Sequence, residues 1–349
     1  MTQTQLEQLP IPLLLWYRDN ARVLPWRSQP TPYGVWVSEI MLQQTRVAAV
    51  LDYYRRFLEE LPDVQALAEV PEERLMKLWQ GLGYYSRARN LQRAARTIVS
   101  GFGGRFPERY EDIRALPGVG DYTAGAVGSI AFGLPTPAVD GNVLRVIARI
   151  TGDGGDISTP AMKKRVTEAL ARVIPVDAPG DYNQALMELG ATVCLPNGAP
   201  LCEKCPAARL CTAFQEGRTR ELPVKAPKKP RREEDRTVYL LFYDGCVALR
   251  RRPGKGLLAG LWEYPNGPVG GDDLSRWALR PVKTERAGTA RHIFTHIQWN
   301  MTAIAAELDG PALPEGWVWA DRGELEREYA LPSAFQGFYG AVMERLGRF

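Results

Sequence analysis

From residue 5 to residue 212, apolar side chains recur every three or four positions, the period of helices that bury one face. Val37, Ile40, Met41 and Leu42 open one such run, and Tyr53, Phe57 and Leu61 carry it past Arg46. The same spacing predicts helices over 75–99, 122–132, 142–151, 161–173 and 181–194, parted by turns such as Gly133-Leu134-Pro135-Thr136-Pro137. After Arg232 the pattern becomes that of strands. Val238–Tyr243 and Cys246–Arg250 flank Asp244-Gly245, a strong two-residue hairpin signal. Further strands are expected at 260–264, 291–297, 299–307 and 317–320, with short helices at 272–279 and 333–346. A mostly helical region is therefore followed by a separate α+β domain of about a hundred residues.

Composition narrows this picture only in part. The 349 residues suggest two or three domains, and 45% hydrophobic against 24% charged residues is enough to bury real cores. A net charge of +4 is compatible with a polyanionic partner without pointing to one. Apolar runs fall short of the roughly 18 residues of a membrane span. Residues 1–10 lack the basic and apolar regions of a secretion signal, so a soluble cytoplasmic protein is expected. Between Arg218 and Arg232, seven basic residues accompany the single Glu221 among prolines. That is an exposed, stiffened linker, either tracking a polyanion or acting as a solvated tether.

Three stretches carry candidate chemistry. In Leu116-Pro117-Gly118-Val119-Gly120, the proline ends one helix and the glycines permit a tight reversal before the next. Amides of Gly118, Val119 and Gly120 pointing outward at a helix start would cradle a phosphate; an ordinary helix–helix turn fits the five residues equally well. Glu39 lies between Val37 and Ile40-Met41, where burial would keep a carboxyl protonated near neutrality, although a solvent-facing glutamate also fits. Asp140 precedes Gly141-Asn142 at a helix start, where the dipole favours the ionised form, or where it serves as an N-cap. One protonated and one ionised carboxyl are the pair that breaks a glycosidic bond.

Four of the five cysteines form Cys194-x7-Cys202-x2-Cys205-x5-Cys211, among helix-breaking Pro196, Pro200 and Pro206. Four thiolates so close in sequence point to one metal centre, iron–sulfur or zinc, rather than to disulfides.

Val-Ser-Glu-Ile-Met-Leu-Gln-Gln-Thr (37–45), Gly-Leu-Gly-Tyr-Tyr-Ser-Arg-Ala-Arg-Asn (81–90), Leu-Pro-Gly-Val-Gly-Asp-Tyr-Thr-Ala (116–124) and Val-Asp-Gly-Asn-Val (139–143) together resemble the adenine DNA glycosylase (MutY) family. The resemblance covers nearly the whole chain. It implies a mostly α helix-hairpin-helix glycosylase with a [4Fe–4S] cluster loop, followed by a C-terminal α+β Nudix-like domain. Residues 26–134 would form a six-helix barrel, 1–25 with 135–215 the iron–sulfur domain, 216–236 the basic linker, and 237–349 an 8-oxoguanine reader.

By the same resemblance, Glu39 protonates the leaving adenine, Asp140 stabilises the sugar cation or a covalent adduct, and Tyr122 and Asn142 position them. Trp26, Arg27 and Gln184 line the adenine pocket. Gln44, Leu82 and Tyr84 insert into the DNA stack, and Thr45 contacts the oxidised guanine. Cys194, Cys202, Cys205 and Cys211 hold one [4Fe–4S] cluster, although the first gap is one residue longer than the family's usual six. The partner is double-stranded DNA with adenine opposite 8-oxoguanine or guanine, bound by a monomer away from any membrane.

Two departures are informative. The endonuclease III branch has a Schiff-base lysine where this chain has Tyr122; a phenol forms no imine, so base excision without efficient strand cleavage is expected. The segment 256–265, Gly-Leu-Leu-Ala-Gly-Leu-Trp-Glu-Tyr-Pro, resembles a Nudix opening, but the Arg-Glu and Glu-Glu helix that would hold Mg²⁺ does not follow. The reader loop is Phe294-Thr295-His296 where the family has Phe-Ser-His. Threonine keeps the hydroxyl's donor and acceptor. The rival readings are a bifunctional pyrimidine glycosylase/lyase and a catalytically silent iron–sulfur DNA-binding protein.

Overall fold

The computed structural model describes residues 3–227 and 230–347. The chain divides into two compact units: Met1–Glu69 with Asn90–Pro227, and Val70–Arg89 with Lys228–Phe349. Residues 70–89, expected inside the 26–134 barrel, thus cluster with the second unit.

The first unit is helical. Its helices include Pro10–Asn20, Pro32–Leu42, Val47–Glu60, Asp121–Phe132, Gly141–Ile150, Pro160–Ala171 and Pro179–Thr192. Thr31 starts Pro32–Leu42 by accepting the Gly34 amide at 3.1 Å, with Pro32 in the first turn. One hydrophobic core gathers Leu6, Leu9 and Leu13 with Val143, Ile147, Val166, Leu186, Leu189 and Leu222, so both ends of the unit's sequence share it. Leu6, Leu9 and Leu13 are fully buried, and truncating any one to Ala costs about 2–5 kcal/mol. Gly190 permits the close crossing of Pro179–Thr192 over Gly141–Ile150: a β-carbon there would sit 2.6 Å from Asn142 Cβ. That crossing fixes where Asp140 and Asn142 stand.

Two expected helices are interrupted. The run from Val37 to Leu61 breaks at Gln43–Arg46, where Gln44 takes φ +58°. The 75–99 run becomes Glu72–Leu78 and Ser86–Phe102, parted by Gly81, Gly83 and Tyr84, all at positive φ. Apolar periodicity continues across both breaks, which is why spacing alone misses them.

The second unit is built on a mixed sheet of β1 (Arg232–Tyr243), β2 (Cys246–Arg251), β3 (Trp262–Glu263), β4 (Asn266–Pro268), β5 (Pro281–Ile293), β6 (Ile297–Leu308) and β7 (Trp317–Ala320). The order is β3-β2-β1-β6-β5, with β4 on β1 and β7 on β2. β1 and β6 run parallel, and β1 and β2 form the expected hairpin, Tyr243 opposite Cys246. Asp244 and Gly245 both take positive φ, as such a turn demands. Alternate residues of β1 enter two cores: Val238, Leu240 and Phe242 meet Trp299, Phe335 and Phe338, while Tyr239 and Leu241 meet Ala306 and Leu308. β5 starts ten residues before the expected strand, because Pro281–Arg291 is an exposed, charged edge without apolar alternation.

The linker is shorter and more fastened than expected. β1 begins at Arg232, inside the expected 216–236 span. Leu222 is buried, its carbonyl accepts the Arg149 Nε–H at 2.8 Å, and the Val224 carbonyl accepts the Ile157 amide at 3.1 Å. Lys228 and Lys229 lie outside the described residues.

Candidate active site

Helix Pro32–Leu42 is buried from Tyr33 to Met41 and presents no solvated face. Glu39 is therefore carried inward, 5% exposed, and is not the surface glutamate that its sequence also allowed. The Tyr122 hydroxyl, from the first turn of Asp121–Phe132, donates to Glu39 Oε2 at 2.5 Å. Burial pushes the Glu39 pKa up to about 7; Asp140 adds to the rise, while Tyr122 and Arg27 oppose it.

Asp140 is the N-cap that its sequence allowed, and it also lines a cavity. Its Oδ1 accepts the Val143 amide at 2.7 Å, and its Oδ2 accepts the Asn142 side-chain amide at 2.9 Å. Burial raises its pKa, against those two hydrogen bonds and the nearby Arg145. Asn142 is held in turn by Arg145, which donates to Asn142 Oδ1 and to the Gly190 carbonyl, both at 2.8 Å. Arg145 Nε also donates to the Cys194 carbonyl at 2.9 Å. A continuous set of hydrogen bonds thus joins the cysteine segment to the Asp140 carboxylate.

Glu39, Tyr122, Asp140 and Asn142 line one cavity of about 730 Å³, along with Trp26, Arg27, Gln184, Gln44, Thr45, Gly118 and Gly120. Trp26 packs edge-on against Tyr54 with centroids 5.2 Å apart. Sequence reasoning missed Arg22, Met187 and Glu188 in the same wall. Glu188 is fully buried and paired with Arg22 and Arg27 at 2.5 and 2.8 Å. Its one available signal was the four-residue spacing from Gln184.

The hairpin departs from expectation at its centre. Val119 is buried and its amide donates to the Leu116 carbonyl at 3.1 Å, closing the turn instead of facing outward. Gly118 needs its positive φ and its missing side chain, since a β-carbon would lie 2.5 Å from Asn90 Cβ. Arg114 braces the reversal through the Val119 carbonyl, at 3.1 Å, and through Asp121.

Within the second unit, Tyr84 and Thr295 hydroxyls are hydrogen-bonded at 2.8 Å, joining an expected inserting residue to the expected reader loop. Thr295 and His296 are exposed at the β5–β6 turn, while Phe294 packs on Trp299. Leu82 is buried, 6% exposed, and so is not presented as an inserting side chain.

Cys194, Cys202, Cys205 and Cys211 line a second, apolar cavity with Val146, Ile150, Leu189 and Phe214. Burial pushes Cys205 up to about 12 and raises Cys202 and Cys211, with Cys194 adding to each rise. Four crowded thiols of this kind lose their protons to a metal, so the donor chemistry fits a thiolate-bound centre. Among the described residues, however, no group of three or more His, Cys, Asp or Glu side chains could hold a metal ion as placed.

Residues 37–174 match the HhH-GPD superfamily of base excision DNA repair proteins, and 237–339 match the NUDIX domain. An adenine DNA glycosylase of Mus musculus is 37% identical over 374 residues, covering 88% of this chain and 72% of its own. Its Homo sapiens counterpart is 36% identical, covering 90% and 70% respectively. A thermostable thymine-DNA glycosylase structure aligns with a TM-score of 0.56 and 30% identity, covering 62% of this chain and 99% of its own. Among the described residues no helix is long and apolar enough to cross a membrane. The chain belongs to the adenine DNA glycosylase family, within the helix-hairpin-helix proteins of base excision repair.

Proposed function

We propose that the protein hydrolyses the N-glycosidic bond of adenine mispaired with 8-oxoguanine or guanine in double-stranded DNA. The observation that carries this reading is the joint presence, in one cavity, of a buried Glu39 bonded to Tyr122 and an Asp140 held by its own helix. The cavity's size suits a single extruded nucleoside. Glu39, protonated near neutrality, gives its proton to the departing purine. Asp140, ionised, faces the cationic sugar that remains, and Asn142 with Arg145 keeps its carboxylate aimed. Glu39, now a carboxylate, accepts a proton from the attacking water, leaving an abasic site. Trp26, Arg27 and Gln184 supply one flat and two polar surfaces for the base. Tyr122 in the branch-defining position supports a monofunctional enzyme, since a phenol forms no imine with the abasic aldehyde.

The partner base carries the lesion, so discrimination is assigned to Phe294-Thr295-His296 with Tyr84, and to Thr45 and Gln44. Cys194, Cys202, Cys205 and Cys211 would hold one [4Fe–4S] cluster, whose role when bound is to crosslink the end of the helical unit. The enzyme is assigned as a cytoplasmic, DNA-associated monomer.

The test is a single-turnover assay on a duplex with adenine opposite 8-oxoguanine. Release of free adenine, with the strand intact until alkali is added, is the expected result. Release of a pyrimidine from other mispairs, or efficient borohydride trapping of enzyme on DNA, would replace this reading with that of a bifunctional glycosylase/lyase.

A further inference from the structure

Glu188 is the one fully buried carboxylate of the cavity wall, and the excision chemistry does not use it. It lies one turn beyond Gln184 on Pro179–Thr192. Both oxygens are committed: Oε1 accepts Arg22 Nε at 2.5 Å and the Arg22 amide at 3.4 Å, while Oε2 accepts Arg22 at 3.0 Å and Arg27 at 2.8 Å. Arg27 is further fixed by donating to the Arg22 carbonyl at 3.2 Å and by lying 5.7 Å over the Tyr17 ring. Two arginines and one glutamate leave this wall one positive charge in excess. Burying such a cluster gains little stability over an apolar wall of the same shape, so its value lies in what it orients.

We propose that Glu188 is a positioning residue of the base cavity, fixing the Arg22 and Arg27 guanidinium groups in the wall and offsetting the charge of Arg27, which lines the same cavity as Glu39. The proposal rests on the reading of Glu39 as general acid. The groups that act on the Glu39 carboxyl are Tyr122, Asp140 and Arg27. From the adjacent helix Val47–Glu60, Tyr54 is buried and stays neutral, its phenol pushed up to about 12. Arg22, Asp121 and Lys163 complete the charged lining of the cavity. Of these, Arg27 is the cation that favours the ionised form of Glu39, and Glu188 is its counter-charge. Without Glu188, Arg27 is both freer to turn and uncompensated. Glu39 then loses its proton at lower pH, and the acid form that excision requires is depleted sooner.

The measurement is the single-turnover excision rate against pH for the full chain and its variants. In Glu188→Gln the pH at which the rate falls off moves down by roughly half a unit or more, a further threefold loss above it, on top of any loss of amplitude. Glu188→Asp keeps the charge, so its fall-off stays at the wild-type position while the amplitude drops. Arg27→Gln moves the fall-off in the opposite direction, to higher pH, and the double variant Arg27→Gln/Glu188→Gln keeps it there, because Glu188 acts through Arg27. A purely structural role lowers the amplitude and leaves the fall-off in place; that outcome in Glu188→Gln would overturn the proposal. Should Glu188→Gln not fold, a fall-off in Arg27→Gln that stays put or moves down would overturn it just as well. Carbon-13 NMR titration of the Glu39 carboxyl, assigned with Glu39→Gln, reads the same shifts without catalysis. If wild type releases no adenine, the proposed function fails, and this titration still decides the role of Glu188.

Discussion

Replacing Glu39 with Gln should stabilise the helical unit at alkaline pH while removing its activity. The carboxyl is 5% exposed, and burial raises its pKa from 4.5 in the unfolded chain to about 7. The folded state therefore holds this proton more tightly than the unfolded one does. Its contribution to stability is full below about pH 4.5 and is lost as pH rises through about 7. The interval between those values converts, at about 1.4 kcal/mol per pH unit, into roughly 3 kcal/mol by pH 8 and about 1 kcal/mol at pH 5. Glutamine has the same shape, still accepts the Tyr122 hydroxyl and cannot ionise. Any packing difference it introduces shifts the two pH values equally and leaves the slope intact.

The assay is urea denaturation at about pH 5 and about pH 8, followed by far-UV circular dichroism, which weights the helical unit. Relative to wild type, the variant should gain about 2 kcal/mol between the two conditions. Its excision rate should fall by roughly 10²- to 10⁴-fold, with lesion binding retained. A stability difference identical at both pH values would refute the reasoning, because Glu39 would then titrate alike in the folded and unfolded chains.

Tyr122→Phe removes a donor that holds the Glu39 pKa down, so the fall-off of the pH–rate profile should move up by roughly one unit, with a lower maximal rate. Asp140→Asn keeps a good N-cap and should change stability by less than about 1 kcal/mol, measured by denaturation, yet lose excision because the sugar cation meets no anion. Cys202→Ser should abolish a broad absorption near about 400 nm in the purified protein and lower the thermal unfolding temperature of the helical unit. A colourless wild type carrying zinc by elemental analysis would contradict that assignment.

Much of this was legible in the chain. Helical periodicity located most of the helices, and Asp244-Gly245 gave a hairpin whose register the sheet repeats, because two residues at positive φ leave the backbone few alternatives. The Glu39–Tyr122–Asp140 grouping was legible only through four separated motifs read together, since no local spacing brings residues 39 and 140 to one cavity. What stayed hidden depended on tertiary placement. Apolar residues on both sides of Gln43–Arg46 and of residues 79–85 concealed two breaks that place exposed residues at a cavity and at a turn. Val119 reads as an outward amide until its turn closes on Leu116. Pro281–Arg291 becomes a strand because β6 pairs with it, not because its own side chains alternate. Glu188 sits in an apolar helix with no motif around it, and its importance appears only when Arg22 and Arg27 arrive from 166 and 161 residues away.

The most direct test of the central claim is the wild-type pH–rate profile for adenine release from a duplex carrying adenine opposite 8-oxoguanine, under single turnover. If buried Glu39 is the proton donor, the rate falls about tenfold per pH unit above about 7. A rate that rises through that pH would mean that the ionised form of Glu39 does the work, and the division of labour between Glu39 as acid and Asp140 as anion would be wrong.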